Sequence, residues 1–105
     1  MALANATLTD SAATVFTANS AKTFLTASVG LIVCKNHDSS ARTITVHACP
    51  AGEAAADENM LFEVSVPAGD TYTFSEKLLL ANTDVIKAFA SVTSVCSVTV
   101  SYLDI

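Results

Sequence analysis

The stretch that decides the fold is Arg42-Thr43-Ile44-Thr45-Val46-His47-Ala48, in which polar and apolar residues alternate. The same alternation recurs at 62–66, 71–74 and 96–102. Successive side chains of a β-strand point to opposite faces, so such a strand packs one face on a core and turns the other to solvent or a partner. The sequence therefore predicts an all-β protein.

About eight short strands follow one another at the spacing of roughly 8 to 12 residues that is typical of sandwiches and barrels. We place them at 3–9, 13–18, 28–35, 42–49, 60–66, 70–75, 85–91 and 95–103, with a further extended segment at 22–25. The run at 28–35 is continuously apolar in its middle, which indicates a central strand. The predicted fold is a single antiparallel β-sandwich or jelly-roll-like barrel, one domain over residues 1–105.

Two tripeptides, Pro50-Ala51-Gly52 and Pro67-Ala68-Gly69, each precede an acidic residue. Proline at the second and glycine at the fourth position predict type I reverse turns. Between them lies the acidic, alanine-rich stretch 53–59, which we expect to project from the domain as a loop with at most one helical turn.

The composition combines 51% hydrophobic residues with only 14% charged residues and a net charge of −5. So apolar a chain with so few charges indicates a core plus a weakly polar surface that faces a partner. An acidic surface repels phosphate backbones, so nucleic-acid binding is not expected. The longest apolar stretch, 29–34, is far shorter than the ~20 residues that span a bilayer, and no signal peptide is recognised at the start.

The three cysteines are Cys34, Cys49 and Cys96. An odd number without a recognised signal peptide indicates reduced thiols and synthesis in the cytoplasm. His47 and Cys49 share one strand face, but Cys34 and His37 would point to opposite faces, and zinc-knuckle spacing is missing. No metal site is therefore predicted, and His47 is interpreted as an exposed residue.

Catalytic patterns are also missing from the sequence. No serine stands in a GxSxG elbow, no glycine-rich loop could bind phosphate, and the turn acids do not form a twelve-residue calcium loop. The chain has no tryptophan, and its aromatic residues fall mostly on apolar positions, which indicates a core rather than a sugar-stacking surface. We predict no enzyme, no catalytic residue and no cofactor.

Two parts of the chain resemble small virion structural proteins of tailed bacteriophages that consist of one β-sandwich. The first is the turn Asn36-His37-Asp38-Ser39-Ser40 with the strand at 41–47. The second contains the hairpin at 66–74, the leucine-rich stretch 77–80, the stretch 84–88 that begins with the aspartate of a turn, and the strand at 98–105. The chain departs from the pattern at Thr83, where the family usually has glycine.

The resemblance implies a capsid decoration or cement protein that binds the major capsid protein lattice and stabilises the head. It further implies a homotrimer on the capsid surface, made in the host cytoplasm, with no membrane or nucleic-acid partner. The apolar residues Leu3, Phe16 and Met60 are the expected partner contacts. The strand at 3–9 would pair either with its own sheet or, as an arm, with an adjacent subunit.

Two other functions stay open at this point. One is a structural domain of the tail, baseplate or a fibre, in contact with a host receptor. The other is a soluble module that binds carbohydrate or peptide.

Overall fold

Strands form wherever the alternating pattern predicts them. The computed structural model describes residues 2–18 and 25–104. Its strands are β1 (Ala2–Thr7), β2 (Ala13–Thr17), β3 (Leu25–Asn36), β4 (Arg42–Cys49), β5 (Met60–Val66), β6 (Thr71–Phe74), β7 (Leu78–Ala81), β8 (Val85–Ala90) and β9 (Cys96–Asp104). One turn of 3-10 helix, Asp57–Asn59, precedes β5. Of the segment predicted at 22–25, only Leu25 lies within the described residues, as the first residue of β3.

The strands pair into two antiparallel sheets. Sheet A has the strand order β1-β9-β3-β6. Strand β7 also pairs with β3, on the same side as β6. The break at 75–77 thus divides one edge position between β6 and β7, because β6 pairs with 32–35 and β7 with 25–29. Sheet B has the order β2-β8-β4-β5. Four positions in each sheet, connected in this sequence, make a jelly roll of two Greek keys. The predicted all-β sandwich is confirmed.

The core lies between the sheets and holds the inward residues of each alternating strand. Ile32, Ile44, Ile86, Val46 and Val98 are all completely buried. Burying one such side chain stabilises the fold by roughly 1.5–3 kcal/mol. The central position predicted for β3 is confirmed, because it lies between β9 on one side and β6 and β7 on the other.

The two Pro-Ala-Gly turns differ from the prediction. The N–H groups of Glu53 and Asp70 donate to the carbonyls of Pro50 and Pro67, so proline occupies the first position of each turn. Gly52 (φ +80°) and Gly69 (φ +69°) then occupy the third position. A positive φ at that position defines a type II turn and favours glycine. The type I prediction was wrong because it placed each turn one residue too early.

Thr83, the position at which the chain departs from the phage family pattern, has a φ of +66°. This is the left-handed region, where a β-branched residue is unfavourable by roughly 1–2 kcal/mol. Its N–H donates to the carbonyl of Ala18, and the Asp84 carboxylate accepts the N–H groups of Ala51 and Ala81. These bonds hold the strained turn in place.

Candidate interaction surfaces

The outer face of sheet A is a broad surface of small polar and aliphatic side chains, which we call the sheet A face. It comprises Leu3, Asn5 and Thr7 of β1, Ser97, Thr99, Ser101 and Leu103 of β9, Ser28, Leu31, Val33 and Lys35 of β3, Thr71 and Thr73 of β6, and Leu79 of β7. Cross-strand register sets these residues side by side, as in the row Asn5, Thr99, Val33, Thr73. Exposed Leu103 and Leu79 flank Ser28 in the same way.

Charge is nearly missing from this face. Among the described residues that form it, Lys35 alone is charged, and its Nζ donates to the carbonyl of Gly69 at one end of the sheet. Four strands at about 4.8 Å spacing and a nine-residue β9 give the face a projected area on the order of 600 Å². A surface with so little charge, on a chain of net charge −5, is suited to contact with another protein.

The outer face of sheet B, by contrast, is partly covered by the loop at 50–59. His47 lies on this face but is only 4% exposed, because Nδ1–H donates to the carbonyl of Ala56 (3.1 Å) and to Oδ1 of Asn59 (2.9 Å). Asn59 Oδ1 also accepts the N–H of Ala56, and its Nδ2 donates to Ala54. The predictions of an exposed His47 and a projecting loop were therefore wrong, while the single helical turn is confirmed.

The three predicted partner contacts lie in different environments. Leu3 is 69% exposed on edge strand β1, and Met60 is 36% exposed at the start of β5. Phe16 is only 7% exposed, because β2 turns it inward against Tyr102, with 4.2 Å between ring centroids. Phe16 is thus a core residue and offers no contact surface, which corrects the sequence-based expectation.

The strand at 3–9, expected either as an arm or as part of its own sheet, forms β1 and pairs with β9 of the same chain from Ala2↔Tyr102 to Thr7↔Ser97. Of the two alternatives, the structure has the intramolecular one. Among residues 2–18 and 25–104, no strand lies beside the other edge of β1 in sheet A.

All three cysteines are free and buried. Burial, and secondarily the proximity of Cys96, raises the pKa of the Cys34 thiol to about 12. Burial also raises the pKa of Cys49 and of Cys96. Thiols with raised pKa values are poor nucleophiles and poor metal ligands, since both roles need the thiolate.

Near the loop at 37–41, Arg42 forms an ion pair with Asp38 at 2.7 Å. The hydrogen bond from Arg42, followed by one from the backbone of Ser39, lowers the pKa of Asp38. Both side chains are partly exposed, so the pair contributes little to stability.

Within residues 2–18 and 25–104 there is no cavity of ligand size and no cluster of three metal-ligating side chains. None of the helices in this part of the chain is long and apolar enough to span a bilayer.

No protein-family model and no curated protein matches the chain in sequence. Among solved structures, a chain in the acidic stable capsid structure of Helicobacter pylori bacteriophage KHP30 is similar at a TM-score of 0.62 and 12% identity, over 99% of this chain and 85% of that one. A chain of the Bacillus endospore appendages, a family of disulfide-linked pili, is similar at a TM-score of 0.53 and 14% identity, over 99% and 84%.

A chain of infectious bursal disease virus strain Gx aligns with 93% of this chain but only 30% of its own length, at a TM-score of 0.45 and 10% identity. That score is too low to establish a shared fold. The phage and pilus chains share the fold of this protein over nearly its whole length, and at such identities the likeness shows the fold alone.

Proposed function

We propose that this protein is a non-enzymatic virion structural protein, a decoration or cement protein that binds the major capsid protein lattice and stabilises the phage head. The observation that carries the proposal is the sheet A face on a jelly-roll fold, a fold that capsid domains use widely. The similarity to a chain from a phage capsid structure supports the same role.

The sheet A face is the surface we assign to the capsid shell. Its Thr and Ser side chains lose little conformational entropy when they are covered, compared with long charged side chains. Leu79, Leu103 and Leu31 supply apolar contacts between them. The projected area of order 600 Å² is comparable with the ~800 Å² per partner of a standard interface, and a lattice repeats the contact many times.

On the shell, copies would also associate with one another, and a trimer is the arrangement that the phage resemblance implies. In this proposal the acidic residues of the loop at 50–59, Glu53, Asp57 and Glu58, face solvent, because they lie on the side of sheet B. Repulsion among these acids keeps unassembled copies soluble.

The alternative of a tail, baseplate or fibre domain uses the same face on a different partner. A fibre held by disulfides, like the pili with the shared fold, is not supported, because Cys34, Cys49 and Cys96 are all buried. A carbohydrate-binding role also lacks support, because sugars stack on exposed aromatic rings, and Phe62, Tyr72 and Phe74 instead form one aromatic cluster against the core.

The first experiment locates the protein on particles. Antibody-labelled virions from the phage that carries this sequence are imaged by electron microscopy, and heads without tails are separated from free tails before probing. Label on heads supports the decoration role, and label on tails alone replaces it by the tail alternative. Particles without the protein, together with binding of the monomer to a glycan array, would refute both virion roles.

The second experiment tests the face. Thr99→Glu puts a charge at the centre of the sheet A face, while the matched control Ser65→Glu adds the same charge to an exposed position of β5 in sheet B. Purified variants are added to undecorated heads and co-sedimented. We expect Thr99→Glu to reduce the bound amount at least tenfold and Ser65→Glu to bind like the native protein. Equal binding of the two variants would exclude the sheet A face as the shell contact.

A further inference from the structure

The four sheet edges of the sandwich differ in how well they are protected against pairing with another strand. Natural proteins protect edges with charges, prolines, bulges and interruptions. The edge of β6 and β7 is interrupted at 75–77, where Glu76 and Lys77 carry charges. Edge strand β5 carries Glu63, has a register shift opposite Val46 and His47, and is followed by Pro67.

Edge strand β1 has none of these devices. All six of its residues pair with β9 without a register shift, and the sequence Ala-Leu-Ala-Asn-Ala-Thr contains no charge, proline or glycine. Strand β2, which forms the same lateral side of the sandwich, is also uncharged, although a register shift at Val15 interrupts it. Neither strand of this lateral side carries a charged side chain, on a chain of net charge −5, although exposed Asp10 lies in the segment between them.

The backbone direction of β1 shows which groups are free. The N–H of Leu8, one residue beyond the strand, donates to the carbonyl of Cys96 in β9. Because the N–H direction alternates along a strand, those of Ala6, Ala4 and Ala2 also face β9. The N–H and C=O groups of Leu3, Asn5 and Thr7 consequently point away from the sheet, ready to pair with a further strand.

We propose that this edge binds a second copy of the chain, by antiparallel pairing of β1 with β1 across a twofold axis at Asn5. The sheet A faces of the two copies lie on the same side of the joined sheet only if Leu3, Asn5 and Thr7 of one copy stand opposite the same set of residues in the other. With Asn5 opposite Asn5, Leu3 lies opposite Thr7 at both ends, and all the free groups of the three residues pair, which makes six hydrogen bonds. Any shift of this register leaves some of them unpaired.

A second copy is the occupant that the charges favour. Two chains of charge −5 repel each other, so they approach best where acidic residues are few, and strands β1 and β2 contain none. An edge strand is also complementary to itself, and the twofold axis closes the assembly as a pair. This edge therefore favours a dimer, in contrast to the trimer that the phage resemblance implies.

The size of the contact sets its strength. A six-residue strand is about 20 Å long, and a two-layer sandwich is about 20 Å thick with its side chains, so the lateral side covers on the order of 400 Å². This is about half of a standard interface, and such contacts are weak and reversible. The dimer should accordingly form at high protein concentration in solution.

The test uses the purified full chain without particles, so it is independent of the proposed function. Sedimentation velocity over a concentration series should show the native protein changing reversibly from monomer to dimer. Asn5→Lys brings two ammonium groups together at the axis and should leave only monomer, whereas Thr73→Lys, the same charge change on β6, should dimerise like the native protein. A native monomer at every concentration, a trimer, or a dimer unaffected by Asn5→Lys would overturn the proposal.

A cross-link tests the register directly. Hydrogen-bonded antiparallel partners have Cα atoms about 5.5 Å apart, within the range of a disulfide. Asn5→Cys should form a covalent dimer under mild oxidation, while Leu3→Cys alone should not, because its opposite residue is Thr7. The native cysteines are buried and do not compete. Equal cross-linking of the two single variants would exclude the proposed register.

Discussion

Replacement of Asn36 should destabilise the protein more than that of any exposed residue. Asn36 ends β3 and is completely buried. Its Nδ2 donates to the carbonyls of Ser40 (2.9 Å), Val66 (2.9 Å) and Pro67 (3.3 Å), and its Oδ1 accepts the N–H of Asp38 (2.9 Å). One side chain thereby fastens two loops, 37–41 and 67–70, to the same end of the sandwich.

The magnitude follows from these bonds. The three bonds of 2.9 Å contribute about 1 kcal/mol each, and truncation additionally leaves buried carbonyls without a donor. Asn36→Ala should therefore lower the free energy of unfolding by about 3–4 kcal/mol, a large part of the ~5–15 kcal/mol typical of a domain. For a domain of this size that corresponds to a Tm lower by roughly 12 °C or more.

The assay is urea denaturation followed by circular dichroism, with thermal melting as a second measure. Asn36→Leu serves as the matched control, because leucine fills nearly the same volume but cannot donate or accept. If the hydrogen bonds dominate, both variants lose similar stability. If Asn36→Leu has nearly native stability, the loss in alanine came from the cavity, and the role assigned to the amide is refuted.

Three further predictions concern single positions. Thr83→Gly should raise the free energy of unfolding by about 0.5–1 kcal/mol in thermal melts, because glycine accepts the φ of +66° without strain; a lower Tm would contradict this. Burial raises the pKa of Cys34 from 9.0 to about 12 in the folded protein, so the unfolded chain loses the thiol proton at a lower pH than the folded protein does. The contribution of Cys34 to the free energy of unfolding is therefore fully retained below pH 9 and decreases above it by up to about 1.4 kcal/mol per pH unit. Urea melts of the reduced protein between neutral pH and pH 10 should show this decline, and it should be shallower in Cys34→Ala. Val98→Asp should abolish the folded circular dichroism spectrum by placing a charge in the core, whereas Thr99→Asp, one residue on, should fold; the reverse outcome would mean that the strand phase is wrong.

Local patterns in the sequence were sufficient to locate the strands. The predicted bounds of β4 and β5 agree with the structure, and those of β1, β2 and β8 differ by at most two residues. In β4 and β5 the signal is period-two alternation, which depends only on the next few residues. Gly52 and Gly69 were also recognised as turn residues from the local Pro-Ala-Gly tripeptides. The type of each turn, however, depended on which carbonyl accepts the hydrogen bond that closes it.

The candidate surfaces needed the tertiary structure. Val33 is 28 residues from Asn5 and 66 residues from Thr99 along the chain, and no local pattern indicates that the three form one row. The burial of His47 likewise depends on a loop that folds back over sheet B, for which its acidic composition gave the opposite indication. A signal for the sheet A face was nevertheless present, since Leu31 and Val33 are apolar in the outward phase of β3.

By itself the sequence determined where most of the extended segments lie, because strand formation depends on the pattern of neighbouring residues. It did not determine the face of every residue, since Phe16 was expected at a partner contact and is buried. Only the tertiary structure decided the order of the strands, and with it which residues share a face and which edge stays open. That order depends on the pairing of segments far apart in the chain, such as β1 with β9. The uncharged sheet A face and the unprotected edge of β1 are consequences of this pairing.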